Sequence, residues 1–495
     1  MKMNTLIVSA YNVNTCSRSI MLDQLAERVE SKAPSDKIYY LNCSNSFDAC
    51  YFNFEGKPNV CFSCRINANR NLKLFEGDYT PLSFQDILTE DDFKQANLFF
   101  KDNAAIDFNT KYENFEIGES LLSVYISNTR SRDLDLANKS TYIIKSKINS
   151  LALYIASKRF LKENNINTVI SFNGRMDYKR AIFRSAEALG IDCYNYERTR
   201  PGGYIEIFKN TLPHNIIAKT EWINKAWSDP EYTLEEKMKT GALFFEEKKA
   251  GKVIVDKSYV AGQQKGLLPE EVKNSGKNIV LFTSSDDEFA AVGKEYKNPF
   301  FIDQLDGINY VVDLVGKQLP DFNLVIRMHP NLKGVKGAEA TGILTLNKIY
   351  PNIHVIPPES PVDSYALIDL ADKVIVFGSS IGIESSFWRK PVILLAKSFY
   401  WFLDVAYIPK DKEEVLSLLK ADLPNKDIDG CLKYGFYALK GGVKAKYYDQ
   451  KTITSPPLFK GIKMNDYDWM TKIVARVIRI VYRVFNVRMR LKWIK

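Results

Sequence analysis

The segment from Lys277 to Ala396 constrains the fold of this 495-residue chain more than any other part. Short runs rich in valine, isoleucine and leucine alternate there with helical patterns, as in NIVLFTSS, NLVIRMHP, NIHVIPP, KVIVFGSS and PVILLA. Because these runs do not alternate apolar with polar residues, both faces of each strand should be buried. The sequence therefore predicts a parallel sheet covered by helices, a doubly wound α/β domain whose ligands bind beyond the carboxyl ends of the strands.

The N-terminal part repeats this pattern less regularly. NTLIVSAYN, KIYYLNCS, TVISFNGR and CYNYE are typical of strands, and helical patterns separate them. A charged and mainly helical stretch then leads into the second region. We therefore predict an α/β protein with two Rossmann-type doubly wound domains that face a cleft. The predicted bounds are 1–210 for the first domain, 211–275 for a helical connector, 276–430 for the second domain and 431–495 for a C-terminal helical segment.

Composition excludes several classes of protein. The N-terminal MKMNTLIVSAYN lacks the long apolar run and cleavage site of a signal peptide. No run approaches the roughly 18 apolar residues of a membrane-spanning helix, so we expect a cytoplasmic protein. The net charge is +9, but Asp466–Lys495 holds eight Lys or Arg and two Asp, a net of +6 that leaves +3 elsewhere. A nucleic-acid-binding protein would spread its charge over a face of the fold, so no nucleic-acid partner is expected.

The basic tail has the pattern of an amphipathic helix. Its cations Lys472, Arg476, Arg479 and Arg483 recur every three or four residues and form one polar stripe. The opposite face carries Ile473, Val477, Ile480, Val481, Val484 and Phe485, with Trp469 and Trp493 near the ends. Such a helix can lie in a membrane interface, where anionic lipids attract its cations. We predict that residues 466–495 bind an anionic membrane surface; the alternative is that the apolar face packs on the first domain.

Four of the seven cysteines lie close together in NCSNSFDACYFNFEGKPNVCFSC. They are Cys43, Cys50, Cys61 and Cys64. The C-x2-C spacing of Cys61 and Cys64 allows two thiolates to bind one metal from a tight turn, whereas the spacing of Cys43 and Cys50 matches no common zinc module. A structural zinc held by the four is one interpretation. Reduced thiols, which are usual in the cytoplasm, are the other.

Polar side chains end two of the predicted strands in the second domain. Arg327 and His329 alternate along NLVIRMHP and point to one side, where a guanidinium and an imidazole suit an anionic oxygen. In FGSSIGIES, a glycine allows a tight turn, and Ser379 and Ser380 stand where a helix begins. Two such strand ends in one sheet favour a phosphate held between them, although His329 can instead bind a local carbonyl and Ser379 can cap the helix. One turn further, Glu384 can accept hydrogen bonds from the vicinal hydroxyls of a ribose, or it can simply be stabilised by the helix dipole.

At these residues the C-terminal half resembles the donor domain of GT-B glycosyltransferases. The similarity is to capsular-polysaccharide biosynthesis proteins and the bacterial Kdo- and sialic-acid-transferases, in which HP and SS strand ends hold the donor phosphate. The matching residues here are His329–Pro330 and Ser379–Ser380. YENFEIGES, SFNGRMDYKRAIFRSAEALG, NYERTR and GALFFEEKKAGK also look like capsule-type glycosyltransferase sequence. The resemblance therefore covers most of the chain between about residues 110 and 405.

The resemblance implies transfer of a sugar from a nucleotide donor without a metal or other cofactor. A CMP-linked donor is favoured, with UDP- and GDP-sugars as alternatives. The implied acceptor is a growing bacterial surface polysaccharide, lipid-linked at the inner face of the cytoplasmic membrane, with the enzyme attached peripherally. In agreement, no D-x-D triplet stands at a predicted strand end. In TSSDDE, we expect Ser284 and Ser285 to face the donor.

The acceptor side is predicted from two strand ends in the first domain. SFNGR ends in Asn173, Gly174 and Arg175, a polar tip with a glycine that permits close approach. YNYERTR places Glu197 beside arginines, where a plain salt bridge is the simplest interpretation. If this domain supplies a base for an acceptor hydroxyl, Glu197 is the first candidate and Asp177 the second.

Two other functions stay open from the sequence. A sugar-nucleotide epimerase shares the GT-B architecture, but it would need more acidic residues and another histidine around the cleft, and the chain has three histidines in all. A non-catalytic scaffold for polysaccharide assembly is the second alternative, although it would have no reason to keep a phosphate site.

Overall fold

A computed structural model describes residues 3–255, 262–272, 276–285, 292–293, 296–335, 337–464 and 469–485. The strands are β1 (Asn4–Ser9), β2 (Ile38–Asn42), β3 (Thr80–Ser83), β4 (Ile166–Phe172), β5 (Asp192–Arg198), β6 (Tyr204–Lys209), β7 (Lys277–Phe282), β8 (Phe322–Arg327), β9 (Ile353–Ile356), β10 (Lys373–Val376), β11 (Val392–Leu394), β12 (Val443–Lys444), β13 (Tyr448–Asp449), β14 (Leu458–Phe459) and β15 (Ile462–Lys463).

The α-helices are α1 (Thr15–Ser31), α2 (Pro58–Leu72), α3 (Phe84–Ile87), α4 (Glu90–Asp102), α5 (Ile117–Thr129), α6 (Leu134–Lys139), α7 (Thr141–Glu163), α8 (Asp177–Ala188), α9 (Ile216–Trp227), α10 (Leu234–Lys249), α11 (Gln304–Gln318), α12 (Ala338–Thr345), α13 (Ser364–Leu370), α14 (Ile381–Phe387), α15 (Glu414–Lys420), α16 (Asp429–Lys440) and α17 (Trp469–Phe485).

The chain divides into two compact units at residues that differ from the predicted bounds. The first unit comprises residues 1–128, 132–213 and 443–495, and the second comprises residues 129–131 and 214–442. The predicted connector is not a separate segment, since α9 and α10 belong to the second unit. Helix α10 buries two phenylalanines in that unit's core, which a solvated linker would not do.

The second unit contains a five-stranded sheet in the order β11-β10-β7-β8-β9, and every pair in it is parallel. Its central strands β7, β8 and β10 are buried along most of their length, as their unbroken apolar runs predict. Two apolar clusters cover the two faces of this sheet. The strand order reverses between β7 and β10, and that switch point is where a sheet of this type binds its ligand.

The first unit contains a seven-stranded sheet in the order β12-β6-β5-β4-β1-β2-β3. Strands β1 to β5 are parallel, while β6 and β12 are antiparallel additions at one edge. Counted within each unit, both sheets share the Rossmann order 3-2-1-4-5. The prediction of an α/β protein with two Rossmann-type doubly wound units is therefore confirmed.

The C-terminal segment adds two features to the first unit. Strands β13, β14 and β15 form a small antiparallel sheet, and α17 packs against α2. The predicted basic amphipathic helix is thus present from Trp469 to Phe485, while residues 486–495 lie outside the described part of the chain. Within that part, no helix is long and apolar enough to cross a membrane.

Candidate functional site

A cavity of about 780 Å³, counted with its open mouth, lies in the second unit beside the residues that end β7, β8 and β10. Six residues that the sequence predicts to bind the donor line it: Arg327, His329, Pro330, Ser379, Ser380 and Glu384. The structure therefore brings together both polar strand ends at the switch point of the sheet.

Arg327 is the last residue of β8 and is almost fully buried. Its Nη1 donates to the Pro357 carbonyl at 2.6 Å and its Nη2 to the Ser360 carbonyl at 3.1 Å. Its Nε–H has no hydrogen-bond partner among the described residues. Burial lowers the pKa of Arg327 to about 10, against the opposing effect of Glu359, so the group stays cationic at neutral pH. Arg327 therefore holds the loop after β9 and places its positive charge beside the cavity.

His329 lies in the turn after β8 and lines the same cavity. Its backbone N–H donates to Thr283 Oγ1 at 2.9 Å, which ties the turn to the end of β7. The side-chain Nδ1 accepts a hydrogen bond from the Asn331 N–H at 3.1 Å. Because Nδ1 is the acceptor, the proton of the neutral ring is on Nε2. The imidazole can thus present an N–H donor to an anion.

The loop after β10 places two hydroxyls in the cavity. Gly378 has a φ of 85°, which a side chain would strain, so the sharp turn requires glycine. Ser398 Oγ donates to the Gly378 carbonyl at 2.8 Å, and the Tyr400 hydroxyl donates to the Ser379 carbonyl at 2.7 Å. These two bonds fix the positions of Ser379 and Ser380.

Glu384 is buried at the side of the cavity and is the centre of a polar network. It accepts hydrogen bonds from Lys248 Nζ at 2.9 Å, from the Tyr365 hydroxyl at 2.5 Å and from Ser380 Oγ at 3.3 Å. Burial and then the Glu384 charge raise the pKa of Tyr365, which keeps that hydroxyl protonated. A carboxylate offers about four acceptor positions, so the network leaves about one for a ligand hydroxyl. A vicinal diol would have to displace a partner, and Ser380 makes the longest of the three bonds.

The sequence missed two of these partners, Lys248 and Tyr365. Lys248 lies on α10, one turn after Phe244, which also lines the cavity. The signal available in the sequence was Glu384 itself, because a carboxylate in an otherwise apolar helix needs a cation when it is buried. Nothing in the spacing shows which of the lysines near the end of α10 supplies that cation.

Ser284 and Ser285 do not line the cavity. Ser284 Oγ donates to the Phe377 carbonyl at 2.9 Å, and its backbone N–H donates to Gln304 at 2.6 Å. Both serines are buried. Ser284 therefore joins the ends of β7 and β10, and the expectation that the two serines face a donor is not met in the described structure.

The first unit has its own polar residues at the carboxyl ends of β4 and β5. Asn173 and Gly174 have φ values of 68° and 72°, and a Cβ on Gly174 would come within 2.5 Å of Asn195. Asn173 Nδ2 donates to Glu197 at 2.7 Å, and the Arg198 N–H donates to the other carboxylate oxygen at 3.1 Å. Glu197 is half-buried. Arg175 is buried and donates through Nε to Ser123 at 2.8 Å.

Asp177, the second candidate base, is fully buried at the start of α8. It accepts hydrogen bonds from the hydroxyls of Tyr11 and Tyr142 and from the backbone N–H groups of Tyr51 and Tyr178. Burial raises its pKa to about 7. Because these four donors surround a carboxyl with no exposed surface, we assign Asp177 to holding three chain segments together and correct its prediction as a base.

Lys179 is a buried cation of the first unit that the sequence did not single out. Its Nζ donates to Ser17 at 3.2 Å and lies 4.9 Å from the Tyr11 ring centre and 5.0 Å from that of Phe172. Burial lowers its pKa to about 7, while the nearby Glu197 opposes that shift. Lys179 and Glu197 thus interact electrostatically near the ends of β4 and β5 and the start of α8.

The four clustered cysteines do not form a metal centre in the described structure. Cys61 and Cys64 both lie inside α2 instead of in a tight turn, and Cys61 accepts a hydrogen bond from Asn53 at 3.1 Å. Burial raises the pKa of Cys43, Cys50, Cys61 and Cys64, which disfavours the thiolate form. Among the described residues, no group of three or more His, Cys, Asp or Glu side chains is arranged to hold a metal ion. The interpretation as free thiols fits this geometry better.

No protein-family model and no curated protein sequence matches this chain. Solved structures that resemble it include the β-Kdo 2,4-transferase of KpsC from Thermosulfurimonas dismutans, with 12% identity, a TM-score of 0.34 and coverage of 63% of this chain and 87% of that one. The β-Kdo 2,7-transferase of the same KpsC has 13% identity, a TM-score of 0.34 and coverage of 67% and 95%. The MnaA–UDP structure from S. aureus has 11% identity, a TM-score of 0.26 and coverage of 98% of both chains. These likenesses are too low to carry a function, and the site stands on the residues of this chain.

Proposed function

We propose that this protein is a GT-B-type glycosyltransferase and that the cavity of the second unit binds the phosphate of a nucleotide-sugar donor. The observation that carries the proposal is the convergence of Arg327, His329 and Ser379 on one cavity at the switch point of a Rossmann-type sheet. These side chains supply a guanidinium, a ring N–H and a hydroxyl, all donors that suit an anionic oxygen. The resemblance of HP and SS to glycosyltransferase motifs supports the same assignment.

The proposed chemistry is electrostatic. When the glycosidic bond to the donor breaks, the phosphate leaves with additional negative charge, and donors fixed in advance stabilise that charge. His329 is suited to this task because Asn331 and Thr283 hold its ring and backbone in place. Arg327 contributes its positive charge at the edge of the cavity. We propose that no metal or other cofactor takes part.

The proposed donor is a CMP-linked sugar, with UDP- and GDP-sugars as alternatives. The preference for CMP comes from the resemblance of the HP and SS pair to the Kdo- and sialic-acid-transferases. Phe244, Ile254 and Tyr365 give the cavity an apolar wall that can accommodate a base or sugar ring. The fourth acceptor position of Glu384 can take one ribose hydroxyl.

We propose further that the acceptor is a growing surface polysaccharide, lipid-linked at the inner face of the cytoplasmic membrane. Glu197 is the candidate base for the acceptor hydroxyl, because it is half-buried and fixed by Asn173. Asn173, Gly174 and Arg175 stay candidates for acceptor binding, although Arg175 is committed in part to Ser123.

The test is release of free nucleotide from a panel of CMP-, UDP- and GDP-sugars, with and without a polysaccharide acceptor. A glycosyltransferase releases nucleotide faster when acceptor is present and elongates that acceptor. An epimerase changes the sugar of the donor without requiring an acceptor, and a scaffold does neither. Protection of the protein against thermal unfolding by each nucleotide identifies the base. The His329→Asn variant should bind the donor but produce free nucleotide slowly, and His354→Asn, outside the cavity, is its matched control.

A further inference from the structure

Helix α17 contacts the first unit along a narrow edge. It packs against α2 and buries Ile478, which is 6% exposed. Six other apolar side chains of α17 are between 43% and 71% exposed: Trp469, Met470, Ile473, Val474, Val477 and Ile480. Among the side chains of α17 that the structure describes, packing on α2 therefore leaves these six apolar residues exposed.

The exposed apolar residues form one continuous stripe. At 100° per residue, Ile473, Val477 and Ile480 lie within about 60° of one another around the helix axis. Lys472, Arg476 and Arg479 are also exposed and lie together on a different side. Ile478 marks the third side, toward α2. From Trp469 to Ile480 the described apolar residues extend over about 16 Å of the helix, and the cations run beside them.

The surface around α17 is also basic. Neither α17 nor α2 contains an aspartate or glutamate. Arg70 and Lys73 at the end of α2 are exposed, as are Ile462 and Lys463 of β15. Arg70, Ile462 and Lys463 line one small cavity, so the end of α2 and β15 are neighbours. We call the surface formed by α17, the end of α2 and β15 the basic apolar face.

We propose that the basic apolar face binds the surface of an anionic lipid bilayer, with the apolar stripe of α17 inserted into the headgroup region. This inference rests on the proposed function only in naming the bilayer as the cytoplasmic leaflet of the cell membrane. A bilayer is favoured over a protein partner because the stripe is a line of apolar residues beside exposed cations, on helices that themselves contain no acidic residue, whereas the cores of protein interfaces are depleted of charge. Each exposed cation adds attraction that salt screens.

The experiment is cosedimentation of the full chain with liposomes of phosphatidylcholine alone and of phosphatidylcholine with phosphatidylglycerol, at low and high salt. We expect binding to the anionic liposomes at low salt and at least tenfold weaker binding to the neutral ones. Arg476→Ala with Arg479→Ala should weaken binding roughly thirtyfold at low salt and less at high salt. Val477→Glu with Ile480→Glu should abolish binding to the anionic liposomes at both salt concentrations.

Matched controls come from α4 of the same unit, where Leu98 is 65% exposed and Lys101 is exposed. Leu98→Glu and Lys101→Ala should bind liposomes as the unchanged protein does. Thermal unfolding shows whether each variant is folded, and since Val477 and Ile480 are exposed, these variants should unfold at nearly the normal temperature. Nucleotide protection of the second unit should also be unchanged, so failure of the membrane inference stays distinct from failure of the proposed function.

Two results would overturn the inference. One is folded Val477→Glu, Ile480→Glu protein that still binds anionic liposomes as tightly as the unchanged chain. The other is a dimer of the unchanged chain in solution that the same substitutions convert to monomer while liposomes bind neither form. The second result would assign the basic apolar face to another copy of this chain.

Discussion

A pair of substitutions at His329 tests whether its Nε2–H stabilises the leaving phosphate. Asparagine at this position has an oxygen that can replace Nδ1 as the acceptor of the Asn331 N–H, a bond of 3.1 Å, but it has no donor at the Nε2 position. Glutamine places an amide N–H group near Nε2. His329→Asn therefore removes the donor while it preserves the turn, and His329→Gln retains a donor.

The expected effect follows from how much one fixed hydrogen-bond donor stabilises a negative charge that develops in the transition state. Loss of such a donor lowers turnover by about 100- to 1,000-fold, which corresponds to roughly 2.7–4 kcal/mol. We expect His329→Asn to lose this amount in kcat and His329→Gln to recover at least tenfold of it. Because the interaction strengthens in the transition state, kcat should fall more than KM rises. Nucleotide release with acceptor, over a range of donor concentrations, separates the two parameters.

His354 provides the matched control, since it lies on β9 of the same unit and does not line the cavity. Burial lowers the pKa of His354, as expected for a packed neutral ring. His354→Asn should leave kcat within about threefold of the unchanged enzyme, an expectation from its position outside the cavity. A folded His329→Asn enzyme with normal turnover would refute the reasoning. Equal losses in the His329→Asn and His354→Asn enzymes would attribute the effect to the fold.

Three further predictions concern the residues around the two sheets. Lys248→Met should destabilise the protein by about 3–5 kcal/mol in urea unfolding, because it leaves Glu384 buried without its cation, and adding Glu384→Gln should restore most of that loss. Asp177→Asn should remove a pH dependence: burial raises the pKa of folded Asp177 to about 7, so stability of the unchanged protein falls as pH rises from about 4 to 7, by up to roughly 1.4 kcal/mol per pH unit. The free energy of unfolding, measured in urea at several pH values, should change less with pH in the variant, and an equal change in both proteins would contradict this. Ser284→Ala should cost about 1–2 kcal/mol of stability through the lost bond to Phe377 and leave nucleotide protection unchanged; a tenfold loss of protection would return Ser284 to the site.

The sequence predicted the parts of the fold that depend on local pattern. Unbroken apolar runs predicted parallel strands with both faces covered, and polar residues at their ends predicted the edge of the sheet where the cavity lies. His329 and Ser379 were found in this way because the carboxyl ends of neighbouring parallel strands meet at one edge. The partners of Glu384 were not found, since Lys248 and Tyr365 come from helices whose contacts depend on how the chain packs.

Residues at strand and helix ends that lie outside the cavity show the limit of the same rule. Ser284 and Asp177 stand at the ends of secondary-structure elements, as ligand-binding residues do, but the sequence does not give the direction of their side chains. Ser284 turns toward the neighbouring strand, and Asp177 turns into a group of tyrosines. The C-x2-C motif was misleading for a related reason, because Cys61 and Cys64 lie on a helix instead of in the turn that a zinc site uses.

The two sheets have the same strand order, yet the polar groups at their carboxyl ends are used differently. In the first unit, hydroxyl and backbone donors surround Asp177 and leave it no exposed surface, so this carboxyl group stabilises the fold. In the second unit, Arg327 uses two donors on the loop after β9 and lines an open cavity together with His329. The convergence of Arg327, His329 and Ser379 on one cavity is therefore the observation that supports ligand binding at the second sheet.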